Sequence, residues 1–304
     1  MICPDIYEKC ELCPRKCGVN RKEQKGFCGA GTGIVCAKSM LHPWAEPGLT
    51  PAGAVFFSGC TLKCLYCQNY RISHEGFGKE LTPVELSRVF LRLQEQGAET
   101  LDLVTPTHFL PGILEALNLC KKELTIPVVY NCGGYERKEI LRELYDHVDL
   151  WLPDVKYFSD EPAVKYSQAP HYFDTALEAV KEMIRQGKQK NSDPLAKPVK
   201  TAERVIIRHM VLPGQKEDSI LLLKKLKEEL GTGGYLLSLM SQYTPFYKAC
   251  EHKEINRRVT TYEYEKVLEE AVKLGFSGFM QERTSAREEY TPAFDLEGLT
   301  DETT

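Results

Sequence analysis

From residue 50 onward, short runs rich in Val, Ile, Leu and Phe alternate with longer amphipathic stretches, a pattern that points to βα units around a parallel sheet. Strands are expected at 54–58, 101–105, 128–131, 150–156, 204–212 and 235–240, with a seventh at 278–281. Between the first two, Thr82-Pro83-Val84-Glu85 reads as a capping box with proline in the first turn. Leu86, Val89, Phe90 and Leu93 then share one face, and Gly97 stops the helix. Further helices fit 112–123, 136–146, 173–186, 217–230 and 261–274, the last opened by a second capping box from Thr260 to Glu263. Six helices with six or seven strands suggest a partial or complete βα barrel, whose chemistry sits at the C-terminal strand ends. A doubly wound open sheet fits the same alternation. The stretch 188–202 has no period and carries two prolines, so a surface loop is expected there.

The cysteines set this chain apart from an ordinary α/β protein. Twelve occur in 304 residues, and nine of them fall at 3, 10, 13, 17, 28, 36, 60, 64 and 67. In a small secreted domain that clustering would mean disulfides. Here the first 17 residues contain no apolar signal-peptide core, and no apolar run approaches the roughly 20 residues of a membrane span. The formal net charge of -4 gives no reason to expect a generic nucleic-acid partner. A cytoplasmic chain that uses its cysteines for metal or redox chemistry, without a membrane partner, is therefore expected.

Two cysteine sets carry this expectation. Cys60-Thr-Leu-Lys-Cys64-Leu-Tyr-Cys67 is a C-x3-C-x2-C motif directly after the apolar run 53–59, which places three thiols at a strand's C-terminal end. Three thiolates suit a cubane iron–sulfur cluster with one iron left open for a small molecule. Three-cysteine zinc is the alternative, but structural zinc usually takes four ligands and this loop has no histidine. Tyr66 and the pair Gln68-Asn69 stand where they could shield the cluster. The second set, Cys10-x2-Cys13-x3-Cys17-x10-Cys28, is a closed group of four with glycines at 18, 26 and 29. Its spacing fits structural zinc and an auxiliary iron–sulfur cluster equally. Cys3 and Cys36 are alternative ligands, and Cys120, Cys132 and Cys250 are expected to be free thiols.

The C-x3-C-x2-C loop, with its aromatic residue before the third cysteine, resembles the radical S-adenosylmethionine superfamily. The blocks FFSGCTLKCLYCQN, LVTPTHFLPGILEAL, VVYNCGGYE, LPDVKY and MSQYTPFYKA resemble, more narrowly, a branch similar to pyruvate formate-lyase activating enzyme, and the likeness runs from Cys10 to about Gln281. It implies a partial (β/α)6 barrel with a [4Fe-4S] cluster on Cys60, Cys64 and Cys67. The open iron would bind S-adenosylmethionine, and reduction would yield a 5'-deoxyadenosyl radical under anaerobic conditions. A reductant such as flavodoxin or ferredoxin is implied. A protein or peptide substrate is implied too, with a glycyl residue of a partner enzyme as one candidate.

Carried over residue by residue, the resemblance places further contacts at the strand ends. Activating enzymes have Gly-Gly-Glu-Pro after the second strand, whereas this chain has Thr105-Pro106-Thr107-His108 and no carboxylate there, leaving the hydroxyls of Thr105 and Thr107 as candidate cofactor contacts. Asn131-Cys132-Gly133-Gly134 stands at the ribose-contacting turn. Asp154-x-Lys156 resembles the Asp-x-Lys of activating enzymes, and period-two alternation points both side chains to one side. Tyr66, Thr105, Thr107, Asn131, Asp154 and Lys156 are thus the expected cofactor contacts. His108 reads equally as a satisfied strand-end histidine or as a substrate-facing donor. Arg208 or His209, Gln242, Tyr243, Gln281 and Arg283 are further candidates for the rim, with at most one of Arg208 and His209 inside.

Three segments are expected: a cysteine-rich module at 1–50, a barrel at 51–285 and a tail at 286–304. Two other functions remain open, a radical reaction on a small molecule and, in a different class, an iron–sulfur or zinc regulatory binding protein.

Overall fold

A computed structural model describes residues 4–43, 46–280 and 292–299; Cys3, Gln281 and Arg283 lie outside the described residues. The chain enters through a cysteine-rich segment and then forms β1 (Ile34–His42), β2 (Ala52–Phe57), α1 (Tyr70–Ser73), β3 (Lys79–Leu81), α2 (Pro83–Glu95) and β4 (Thr100–Val104). Next come α3 (Leu110–Leu119), β5 (Val128–Cys132), α4 (Lys138–Arg142), β6 (Leu150–Pro153), α5 (Asp160–Ser167) and α6 (Tyr172–Asn191). Last are β7 (Ile206–Met210), α7 (Lys216–Leu230), β8 (Leu236–Met240), α8 (Thr261–Leu274) and β9 (Gly278–Met280).

The strands β2, β4, β5 and β6 are consecutive and parallel, as are β7, β8 and β9. Parallel bridges from Trp151 to Val205 and from Asp154 to Arg208 join the two groups across β6 and β7. The result is a partial βα barrel, the architecture expected from the alternation. Alternate residues of each strand face the interior, while the others pack under the helices in clusters built on Phe90, Leu101, Leu103 and Ile113 on one side and Trp151, Val180, Ile207 and Leu239 on the other.

Both capping boxes are present. Thr82 Oγ1 accepts from the Glu85 amide at 3.2 Å while the Glu85 carboxylate takes the Thr82 amide at 2.8 Å, and Thr260 and Glu263 repeat the pattern. Each pair satisfies amides that the first turn leaves unpaired. Thr82→Ala should therefore lower stability by about 1 kcal/mol in a denaturant titration of the cofactor-free protein.

The structure adds elements that the periodicity did not reveal. β1 pairs antiparallel with β2 from Cys36–Phe57 to His42–Ala52, and β3 covers its other edge, so the boundary expected at residue 50 falls inside the sheet. The segment expected as a loop from 188 is helical through Asn191. Residues 292–299 return to β1: Leu296 donates its amide to the Ala37 carbonyl, Ser39 donates to Glu297, and Lys38 pairs with Asp295 and Glu297.

Candidate active site

A cavity of about 660 Å³ opens at the C-terminal strand ends and runs down the barrel interior. Its wall shows the strand parity, since Phe56 and Ala54 of β2, Asp102 and Val104 of β4, and Asn131 of β5 all line it. Arg208 and Met210 of β7 and Ser238 and Met240 of β8 complete the same alternate-residue pattern. Cys60, Cys64 and Cys67 lie at its mouth, on the loop that leaves β2.

The three sulfurs are met by hydrogen-bond donors. The Leu62 amide approaches Cys60 Sγ at 3.4 Å, Ser167 Oγ donates to Cys64 Sγ at 2.9 Å, and Ser73 Oγ donates to Cys67 Sγ at 3.3 Å. Behind Ser167, Tyr157 Oη lies 2.7 Å from the serine hydroxyl, and Tyr66 Oη lies 2.5 Å from Tyr157 Oη. Tyr66 lines the cavity, stacks edge-on against Tyr243, and so stands at the outer end of a hydroxyl chain that ends on a sulfur acceptor. Burial pushes the Cys60 thiol up to about 12 and the Cys67 thiol up to about 11, with the neighbouring Cys64 adding to both. Thiols buried in this way have little reason to ionise unless a metal takes them as ligands.

Across the cavity runs a polar ladder contributed by successive strands. Lys156 Nζ bonds Asp154 Oδ2 at 2.5 Å, Arg208 Nε bonds Asp154 Oδ1 at 2.7 Å, and Arg208 Nη2 donates to Asn131 Oδ1 at 2.6 Å. Asn131 Nδ2 in turn donates to Asp102 Oδ2 at 3.1 Å. Burial would raise the Asp154 carboxyl, but the charges of Arg208 and Lys156 outweigh it and hold the group below its ordinary range. The turn after β5 fits tightly over this ladder: Gly134 has φ of +75°, and a Cβ there would lie 2.1 Å from the Asp154 carbonyl oxygen. Thr105, which lines the cavity at the end of β4, is held at φ +61°, a left-handed conformation that a β-branched residue seldom adopts.

Three further candidates lie away from the cavity lining. Thr107 does not face the cavity; it is buried, donates to Glu136 Oε1 at 2.8 Å and accepts from Tyr130 Oη at 3.0 Å. His108 is likewise buried and away from the cavity, with Nε2 placed 2.7 Å from the Ser58 carbonyl and Nδ1 without a partner, which favours the structural reading over a substrate-facing one. Cys36 lies in β1, fully buried in the apolar core. Of the pair on β7, Arg208 faces inward. His209 packs outward on the Val155 carbonyl and Ser219.

Sequence reasoning missed Asp102 and Glu46, which also line the cavity, Glu46 with its carboxylate 4.0 Å from Arg208 Nε. Asp102 is a lone carboxylate within the apolar strand TLDLV, which was the available signal. It is 6% exposed, its Oδ1 has no partner, and burial pushes its carboxyl from 3.8 up to about 6 despite the Asn131 hydrogen bond. A carboxyl whose pKa is raised on folding stabilises the fold at low pH and loses that contribution as pH rises through the folded value. The rise corresponds to about 3 kcal/mol. Asp102→Asn should therefore be more stable than the parent at pH 7, and the gap should narrow as the pH falls from about 6 toward 4, as read by paired thermal melts without cofactor.

Comparison with known proteins decides the family. Residues 54–226 match the family model described as the Radical SAM superfamily. The chain belongs to this superfamily. As a radical SAM protein it is 31% identical to an uncharacterised protein of Methanocaldococcus jannaschii over 283 residues, 90% of this chain and 77% of that one. It is also 29% identical over 168 residues to the pyruvate formate-lyase-activating enzyme of Clostridium pasteurianum, covering 52% of this chain and 61% of that enzyme. Among solved structures, a radical SAM methyltransferase from Sphaerobacter thermophilus superposes with a TM-score of 0.51 at 11% identity, covering 83% of this chain and 77% of that one. Streptococcus suis SuiB bound to precursor peptide SuiA superposes at 0.50 with 12% identity, covering 73% of this chain and 46% of that one. These likenesses show the radical SAM fold, and the family implies a [4Fe-4S] cluster and S-adenosylmethionine.

Residues at the cavity mouth fit those groups. Three thiols, one buried and two partly buried, with donors aimed at their sulfurs suit iron ligation, since hydrogen bonds to the sulfurs tune such clusters. The neighbouring cavity carries both signs of charge, as the amino-acid end of S-adenosylmethionine requires. Among the described residues no helix is long and apolar enough to cross a membrane.

Proposed function

We propose that this protein abstracts a hydrogen atom from a substrate admitted to the barrel cavity, with a glycyl residue of a partner enzyme as the first substrate class to test. The observation that carries the reading is the placement of Cys60, Cys64 and Cys67 at the mouth of a cavity walled by the polar ladder from Asp102 to Lys156. Cys60, Cys64 and Cys67 would hold the cluster, leaving one iron open. Thr105, Asn131, Asp154 and Lys156 would hold S-adenosylmethionine, and the turn at Gly133 and Gly134 allows close backbone approach. When bound and reduced by one electron, these groups supply a 5'-deoxyadenosyl radical and methionine.

The chain's own task is binding, orientation and exclusion of water and oxygen. Lys156 and Arg208 both lean on Asp154, so a carboxylate entering the cavity meets cations that are already fixed in place. Tyr66, Tyr243 and Leu62 form an apolar collar beside the cysteines that limits solvent access. A glycyl substrate is supported by the likeness to the activating enzyme of Clostridium pasteurianum, of which the chain spans 61%.

The test begins with protein reconstituted anaerobically and reduced with dithionite. Conversion of S-adenosylmethionine to 5'-deoxyadenosine and methionine is expected, and failure at full cluster occupancy would overturn the radical chemistry. A glycine-containing peptide deuterated at the glycyl Cα should then pass deuterium into 5'-deoxyadenosine. Cleavage without deuterium transfer would keep the chemistry and reject the glycyl substrate.

A further inference from the structure

Outside the cavity, residues 7–30 fold around a second group of thiols. The turns are closed by backbone bonds from Cys10 to Val19, from Gly18 to Cys10 and from Gly26 to Ala30. Cys10, Cys13 and Cys28 are buried, and Cys17 remains at the surface. Gly26 lets the chain pass close by, since a Cβ there would lie 3.4 Å from Cys28 Sγ and 3.6 Å from Cys17 Sγ.

Beside this group lies a buried cation without a counter-charge. Arg21 is 2% exposed, donates to the His108 carbonyl at 2.5 Å and to the Gly31 carbonyl, and lies 4.2 Å above the Tyr7 ring. Its Nε has no partner, and among the described residues no carboxylate pairs with it. A buried guanidinium without an anion is costly, and Gly31, whose carbonyl it holds, stands three residues after Cys28.

We propose that Cys10, Cys13, Cys17 and Cys28 bind an iron–sulfur cluster as thiolates and that Arg21 is its counter-charge. Four thiolates on a cubane give the net negative charge that the guanidinium lacks. Zinc on the same four thiolates would carry a similar net charge but could not exchange electrons, and only a cluster makes use of where this site lies. The site adjoins the first set directly: the Cys60 amide donates to the Cys28 carbonyl at 3.1 Å.

The test uses the full chain carrying Cys60→Ala, Cys64→Ala and Cys67→Ala, reconstituted anaerobically with iron and sulfide. About four irons and four sulfides per chain are expected, lost when Cys10→Ala and Cys13→Ala are added together. One zinc per chain without iron, or no metal, would overturn the cluster. Should the triple variant fail to fold, the unsubstituted protein decides: about eight irons support the proposal and about four reject it. In the triple variant, Arg21→Gln should shift the reduction potential of the remaining cluster to more negative values, and Arg21→Lys should restore it. An unchanged potential in Arg21→Gln would remove the counter-charge role.

Discussion

Replacing Cys60, Cys64 and Cys67 together with alanine is expected to reduce 5'-deoxyadenosine formation to the uncatalysed background while the barrel stays folded. The sulfurs are the acceptors for Leu62, Ser167 and Ser73, and their loss removes the cluster anchors without touching the strands that shape the cavity. The change should be all-or-none, because an open-iron site cannot lose its ligands and still polarise a sulfonium. Product chromatography after dithionite reduction, together with circular dichroism, checks both halves. Ser167→Ala provides the graded comparison: it removes one donor to Cys64 and should alter the cluster's spectrum or potential while cleavage persists. Retained cleavage in the triple variant would place the chemistry elsewhere in the chain.

The second large effect concerns the ladder. Asp154→Ala leaves Lys156 and Arg208 facing one another with no shared anion, so a stability loss of about 3 kcal/mol is expected even without cofactor. That variant therefore confounds binding with folding. Lys156→Met is the cleaner probe, because Asp154 keeps its bond to Arg208. It should change stability by less than about 1 kcal/mol yet weaken S-adenosylmethionine binding about tenfold, the value of one charge-assisted contact. Denaturant titration and equilibrium dialysis separate the two quantities. Unchanged affinity in Lys156→Met would return the Asp154–Lys156 pair to a purely structural role.

Much of this was legible in the sequence wherever the physics is local. Capping boxes, strand alternation and the spacing of Asp154 and Lys156 depend on residues a few positions apart, and each element they implied is present. The end of α6 beyond residue 186 was not legible, because the buried positions there and just before it include Gln186 and Lys190. Their partners, the Leu141 carbonyl and Asp149, lie more than 40 residues away, and the pattern therefore reads as polar. β1 escaped for the same reason: Lys38 is buried against Asp295 and Glu297, which no nearby residue announces. Arg208 could be narrowed to one of two adjacent residues, but its pairing with Asp154 arises only where β7 meets β6.

The docking of residues 292–299 on β1 also bears on how the chain is made. Lys38 waits for partners 257 and 259 positions later, almost the full length of the polypeptide. During synthesis this edge of β1 stays uncovered until residues 292–299 have emerged from the ribosome, and contacts of such separation form late in folding. The cysteine-rich segment is thus translated before β1, while β1 itself is completed only some 257 positions later. Truncation shortly before residue 292 should consequently impair recovery of soluble protein during expression, through the unfinished edge of the sheet, even though every cavity residue named above is retained.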